Sequence, residues 1–148
     1  MNVENYSDKY FLDVVRLVEQ FHAEAVNEYE ALFDAGSLIS TIKENKLDNS
    51  KNCFLLILDG KCRGIIYGAR AKSPISGQMI FQEIIWFVEK PFRRWGVTLL
   101  NGVENMLKSQ GISIMIMAVL ENSKTEKLKR FYARLGYKPI ETHFMRAL

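Results

Sequence analysis

Apolar side chains return every three or four positions across residues 8–25. Phe11, Val14, Val15, Val18, Phe21 and Ala25 share one side, and Asp13, Arg16, Glu19 and Gln20 fall between them. That spacing predicts a helix with one buried stripe. Residues 27–34 follow with a weaker period carrying Tyr29, Leu32 and Phe33, and Ser37 then opens a second short helix to about Asn45. Leu38, Ile39 and Ile42 are its candidates for burial. The polar run 48–52 ends it.

The period changes in the middle of the chain. Residues 53–58 are a continuous apolar run bounded by Asp59-Gly60, and 61–68 follow as a second run, which together predict a hairpin. Residues 72–78, with Pro74 and Gly77, read as a further turn. Residues 79–88 then form a long strand, with Pro91 past its end. Helical spacing returns over 97–109, where Val97, Leu100, Val103 and Leu107 form a stripe and Leu99 and Met106 lie beside it. Gly111 is placed to stop that helix. Residues 112–120 are almost wholly apolar, as expected of a central parallel strand. Ser123-Lys124-Thr125-Glu126 matches a capping box, and Leu128, Phe131, Tyr132 and Leu135 give the stripe of a last helix closed by Gly136. Residues 143–148 can make a terminal strand. The predicted order is helices, an antiparallel meander, then strand–helix–strand–helix–strand. This is an α/β fold, a mixed central β-sheet with flanking helices.

Composition narrows the reading. At 148 residues the chain is one domain's worth, and residues 1–148 are expected to form a single domain. Apolar residues at 48% and charged residues at 25% are ordinary for a globular protein. The 20 Lys and Arg against 17 Asp and Glu leave a net +3, compatible with an anionic ligand. That is well short of the basic footprint of a nucleic-acid binder, so no nucleic-acid partner is expected. Cys53 and Cys62 fit neither a disulfide framework nor the paired spacing of a zinc site. They read as buried thiols, with a Cys53–Cys62 disulfide left open, and no metal is expected. Residues 1–5 lack the basic and apolar regions of a signal peptide, and no apolar run approaches the roughly 20 residues that span a bilayer. The expectation is a soluble cytoplasmic protein with no membrane partner.

Candidate chemistry concentrates between Val88 and Leu100. A strand ends, a short loop with Arg93, Arg94 and Gly96 follows, and a helix begins. Unpaired N–H groups and the dipole at a helix start attract anions, and two arginines strengthen the case for phosphate. A solvated basic turn capping a helix is the plainer reading. The loop is not a Walker motif, because no Gly-Lys-Ser/Thr follows. It is not a dinucleotide fingerprint, because Gly96 stands where three glycines are needed.

Arg93-Arg94-Trp95-Gly96-Val97-Thr98 resembles the acetyl-CoA pyrophosphate loop of the GNAT superfamily of N-acetyltransferases, Arg/Gln-x-x-Gly-x-Gly/Ala. It departs at the sixth position, where Thr98 replaces Gly or Ala, as in degenerate versions found in some phage-type members. A register starting at Arg94 puts Val97 and Leu99 at the glycine positions and fits less well. Asn122, then Leu128, Phe131, Tyr132, Leu135, Gly136 and Tyr137, resembles the family's C-terminal signature, and 138–144 resembles its last loop and strand.

The resemblance implies a fold in which the fourth and fifth strands splay apart, and direct transfer of an acetyl group from acetyl-CoA to an amine. It places the diphosphate against the backbone of Arg93, Arg94, Trp95, Gly96, Val97, Thr98 and Leu99, and the thioester carbonyl against the N–H groups of Phe87 and Val88. Asn122 would contact the pantetheine or order the adjacent helix. Tyr132 matches the helix tyrosine that protonates the departing thiolate; by its position in the stripe alone it is one more core aromatic. Glu83, the one carboxylate inside the fourth strand's apolar run, is the candidate base for the attacking ammonium. A polar residue on an open strand face is its alternative reading. His22, Glu24 and Glu28 would border the acceptor site or lie on a solvated helix face, and Lys124 and Lys127 could meet a CoA phosphate. The acceptor is a small-molecule or protein amine, and dimers are common in the family. An acyl-CoA-binding module without turnover is the second reading, motivated by the missing glycine.

Overall fold

Strands β1 (Asn2–Asn5), β2 (Cys53–Leu58), β3 (Lys61–Lys72), β4 (Met79–Val88) and β5 (Ile114–Ile116) make one sheet in that order. β1 to β4 run antiparallel to their neighbours, and β5 joins β4 in parallel. The structure is a computed structural model describing residues 1–26, 33–44, 51–121 and 124–148. Among these, four helices accompany the sheet: α1 (Phe11–Phe21), α2 (Ala35–Glu44), α3 (Gly96–Ser109) and α4 (Thr125–Arg134). The chain divides into two units, Met1–Met117 and Ala118–Leu148.

In the first unit, β2 explains its own composition. All six of its residues are buried, because the strand has neighbours on both edges and helices against the sheet. The β2–β3 hairpin closes through Asp59 at φ 50° and Gly60 at φ 74°. Two successive positive φ values suit the right-handed twist of the strands, and an Asp-Gly pair supplies them with least strain. α1 buries Val14, Leu17, Val18 and Phe21, while Leu12 faces solvent. It runs on through a single π-helical turn, His22–Val26. α3 packs on β1 where Gly102 meets Val3; a Cβ there would fall 2.7 Å from the valine Cγ2. It stops as its glycine requires. Gly111 at φ 80° donates its N–H to the Lys108 carbonyl, and Ile112 donates to Leu107 at 3.0 Å.

Three expectations need correction. β1 was not anticipated, since Asn-Val-Glu-Asn is short and polar and shows no period. Its pairing with Phe54 to Ile57 of β2 comes from tertiary context. The apolar run 112–120 yields only the three residues of β5, which close the sheet at its edge instead of lying in its middle. The terminal strand over 143–148 is absent; these residues are exposed, and residues 117–120 form no strand that could pair with it.

In the second unit, α4 begins after Lys124, and the Thr125 Oγ1 donates to the Leu120 carbonyl at 3.0 Å. Ser123, the expected cap, lies outside the described residues. The helix closes as read, with Gly136 at φ 87° donating to Ala133 and Tyr137 donating to Tyr132 at 3.0 Å.

Candidate functional site

β4 and β5 are paired over three positions only: Ile80 with Ile114, Phe81 with Met115 and Gln82 with Ile116. β5 ends at Ile116, opposite Gln82, and no strand among the described residues lies against that edge of Glu83 to Val88. The other edge stays paired to β3 through Val88 opposite Gly64. Two residues past Gln82, β4 carries a bulge. Gly68 faces Glu83 and Tyr67 faces Ile85, so Ile84 is extra. The bulge resets side-chain alternation. The Phe81 ring meets Phe54 edge-on at 5.8 Å, and Phe87 meets Phe21 of α1 at 6.2 Å. Phe54 and Leu55 point to opposite faces, and Leu55, Ile65 and Phe87 are aligned across the strands. Phe81 and Glu83 therefore lie on the face opposite Phe87. Glu83 is only 7% exposed, so the open-face reading does not hold for it, whereas Gln82 beside it is exposed.

At the end of β4 the Glu89 N–H donates to the Arg63 carbonyl of β3 at 3.0 Å. Successive amides in a strand alternate sides, which turns the Val88 N–H toward the unpaired edge beyond the end of β5. The Val88 carbonyl, on that same side, accepts from Arg93 Nε at 3.4 Å. Phe87, opposite Ile65, turns its N–H toward β3 by the same alternation.

The basic loop is a 3-10 turn, Lys90–Trp95, continuous with α3. The Gly96 N–H is taken by the Arg93 carbonyl. Arg93 also forms an ion pair with Glu24 of the π-helical turn, and both side chains are largely exposed. Arg94 is exposed with its guanidinium 5.3 Å from the Trp95 ring centre. Gly96 is buried over Trp86, Val97 and Thr98 are half-buried, and the Leu99 side chain belongs to the core. His22 is half-buried in the π-helical turn.

A charged network ties this turn to the rest of the sheet, and sequence reasoning missed it. Glu89, 8% exposed, accepts from Arg16 of α1 and from Arg63 of β3, the latter at 3.0 Å. Arg16 also donates to Asp13 and to the Cys62 carbonyl, each at 2.9 Å, and Asp13 accepts the Cys62 N–H at 3.1 Å. Desolvation works against the Asp13 carboxylate. The hydrogen bonds from Arg16 and Cys62, with the charges of Arg16 and Arg63, outweigh it and hold the carboxyl below its ordinary range. Arg63 stacks on Phe92 of the turn at 4.7 Å. Beside it opens a cleft of about 410 Å³ lined by Gln20, Glu24, Arg63, Glu89, Lys90, Pro91 and Phe92.

In the second unit, Tyr132 is buried and its hydroxyl donates to the Ala118 carbonyl at 3.4 Å, with the Tyr137 ring centre 5.4 Å away. Lys124 and Lys127 are exposed. Asn122 and Glu28 lie outside the described residues. Cys53 and Cys62 are buried free thiols, not a disulfide.

No family model and no curated protein matches the sequence. Solved structures match its fold. The aminoglycoside acetyltransferase meta-AAC0020 from an uncultured soil metagenomic sample, in complex with sisomicin, has a TM-score of 0.71 at 16% identity, covering 99% of this chain and 95% of that one. The ribosomal-protein-alanine N-acetyltransferase from Brucella melitensis biovar Abortus 2308 gives 0.75 at 9% identity, over 99% and 98%. AAC(6')-Iy in complex with the bisubstrate analogue CoA-S-monomethyl-acetylneamine gives 0.71 at 14% identity, over 99% and 97%. At such identities the likeness is one of fold. The chain shares its mixed α/β fold with these acetyltransferase structures.

Proposed function

We propose that the chain is an acetyl-CoA-dependent N-acetyltransferase acting on an amine. The observation that carries this reading is the edge of β4 left unpaired where β5 ends opposite Gln82, beside the Ile84 bulge and leading into the basic turn before α3. The unpaired stretch supplies an open strand edge, and the turn supplies cations at its end. Both are features an anionic acyl thioester would use. A neighbour solved with a CoA-linked analogue supports CoA as the donor. Neighbours named for aminoglycosides and for a ribosomal protein's alanine support an amine acceptor, small or protein-borne.

The residues take distinct roles. Acetyl-CoA supplies the activated acyl group. The Val88 N–H, of the two amides expected, is the donor aimed at the acyl oxygen, where it would stabilise the charge that develops there. Arg94, exposed on the turn, and Arg93, once released from Glu24, neutralise the diphosphate, with the first turn of α3 behind them. Glu83 removes a proton from the incoming ammonium, directly or through water, and Tyr132 returns one to the departing thiolate. Asn122, outside the described residues, is assigned by the resemblance alone to the pantetheine arm or to ordering the adjacent helix.

Calorimetric titration with acetyl-CoA and with CoA, on the native protein and on Arg94→Ala, tests the reading. Low-micromolar binding weakened by the substitution is expected. Absence of binding to either ligand would overturn it. A panel of amines then separates turnover from binding alone.

A further inference from the structure

Glu89 is a carboxylate buried at the junction of three elements. Its oxygens receive two guanidinium groups, Arg16 from α1 and Arg63 from β3. Its backbone holds both ends of the same junction: the N–H donates to Arg63 at 3.0 Å, and the carbonyl accepts the Phe92 N–H at 2.8 Å. The Phe92 ring in turn lies against the Arg63 guanidinium at 4.7 Å. The first step of the turn Lys90–Trp95 is thus fastened by charge, by hydrogen bonds and by stacking, all within four residues of Arg93. By contrast, the far side of the turn has the exposed Arg93–Glu24 pair, and exposed pairs hold little.

We propose that Glu89 is a positioning residue for the acyl donor: through Arg16 and Arg63 it fixes the orientation of the turn that carries Arg93 and Arg94. The inference rests on the donor reading above, and it adds three residues that touch neither the acyl group nor the acceptor. A buried carboxylate is suited to the task. It binds two planar forks at once, so the turn is held in one geometry. Losing its charge leaves Arg63 without its paired carboxylate and Arg16 with Asp13 alone.

The test compares native protein with Glu89→Gln, which keeps shape and removes charge. A second variant, Arg63→Lys, keeps charge and removes the fork, and carries less risk of unfolding because Arg63 is half-buried. Each is titrated with acetyl-CoA well below its melting temperature, and hydrogen–deuterium exchange is followed at amides 90–97. Both variants are expected to bind acetyl-CoA about tenfold more weakly, equivalent to about 1.4 kcal/mol, and to exchange faster across 90–97 than native protein. A role confined to stability would lower the melting temperature and leave both the affinity of the folded protein and the local exchange unchanged, which would overturn the proposal. If native protein binds no acetyl-CoA, the donor reading fails and the positioning role for the donor falls with it. Altered exchange in the variants would then show an anchored turn and no more. If native protein binds and Arg94→Ala weakens it while Glu89→Gln does not, only the positioning role is lost.

Discussion

Gly68 stands opposite Glu83 across β3 and β4, and the space where its side chain would begin is already filled. A Cβ at Gly68 would run into the Gln82 carbonyl oxygen and come within 2.5 Å of the Phe81 Cζ. Gly68→Ala therefore forces either the backbone of β4 or the Phe81 ring to move. Overpacking of this kind costs roughly 1–3 kcal/mol, so a urea melt should show a lower midpoint with the slope unchanged. An unaltered midpoint would mean that the two strands are further apart than described.

Arg93 spends its charge on Glu24 in this structure, so a donor diphosphate must compete with that carboxylate. Exposed pairs are worth roughly 0.2–1 kcal/mol. Glu24→Gln should then tighten acetyl-CoA binding roughly two- to fivefold at low salt, with the gain shrinking as salt is added. Unchanged affinity would assign Arg93 to tying the turn to the π-helical segment.

The thiols set an alkaline limit. Burial pushes the Cys62 thiol up to about 12, and Cys53 lies well above the ordinary range for the same cause, desolvation. Below about pH 7.5 both are protonated whether the chain is folded or not, and they contribute no pH dependence. Above it the unfolded chain loses protons that the folded chain keeps, so stability falls as pH rises toward 12. Denaturant melts between pH 7 and 10.5 should show the decline beginning near 8, and Cys62→Ala should flatten part of it. Neither thiol should react with a disulfide reagent until the chain unfolds.

Proton transfer can be separated into its two ends. Tyr132→Phe removes the proposed acid and should lower turnover about a hundredfold or more, most at high pH, while acetyl-CoA affinity holds. Glu83→Gln should depress the rate most at low pH, where the acceptor ammonium is hardest to deprotonate. A flat pH response in either variant would remove that residue from the mechanism.

How much of this was legible in the sequence follows from the range of the interactions. The hairpin at Asp59-Gly60, the span of β4 and the stops at Gly111 and Gly136 are local, and each residue carries its own reason. The π-helical turn and the Ile84 bulge left no mark, because an apolar residue without glycine or proline looks the same in a regular strand. Glu89 was passed over because its partners lie 73 and 26 residues away, a pairing that no periodicity encodes. β5 was read too long because an apolar run says that residues can be buried, not that a partner strand is present.

The extra residue at Ile84 acts on β4 as a change of parity. Positions 81 and 83 serve one layer and positions 85 and 87 the other, although all four carry odd numbers. The candidate base is thereby released from the packing that anchors α1 on the far face, and its environment can be altered without disturbing Phe87 or Phe21. Deleting Ile84 would make the ladder regular and leave Glu83 and Phe87 on their present faces, so what the extra residue adds is the local bend of β4 beside its open edge.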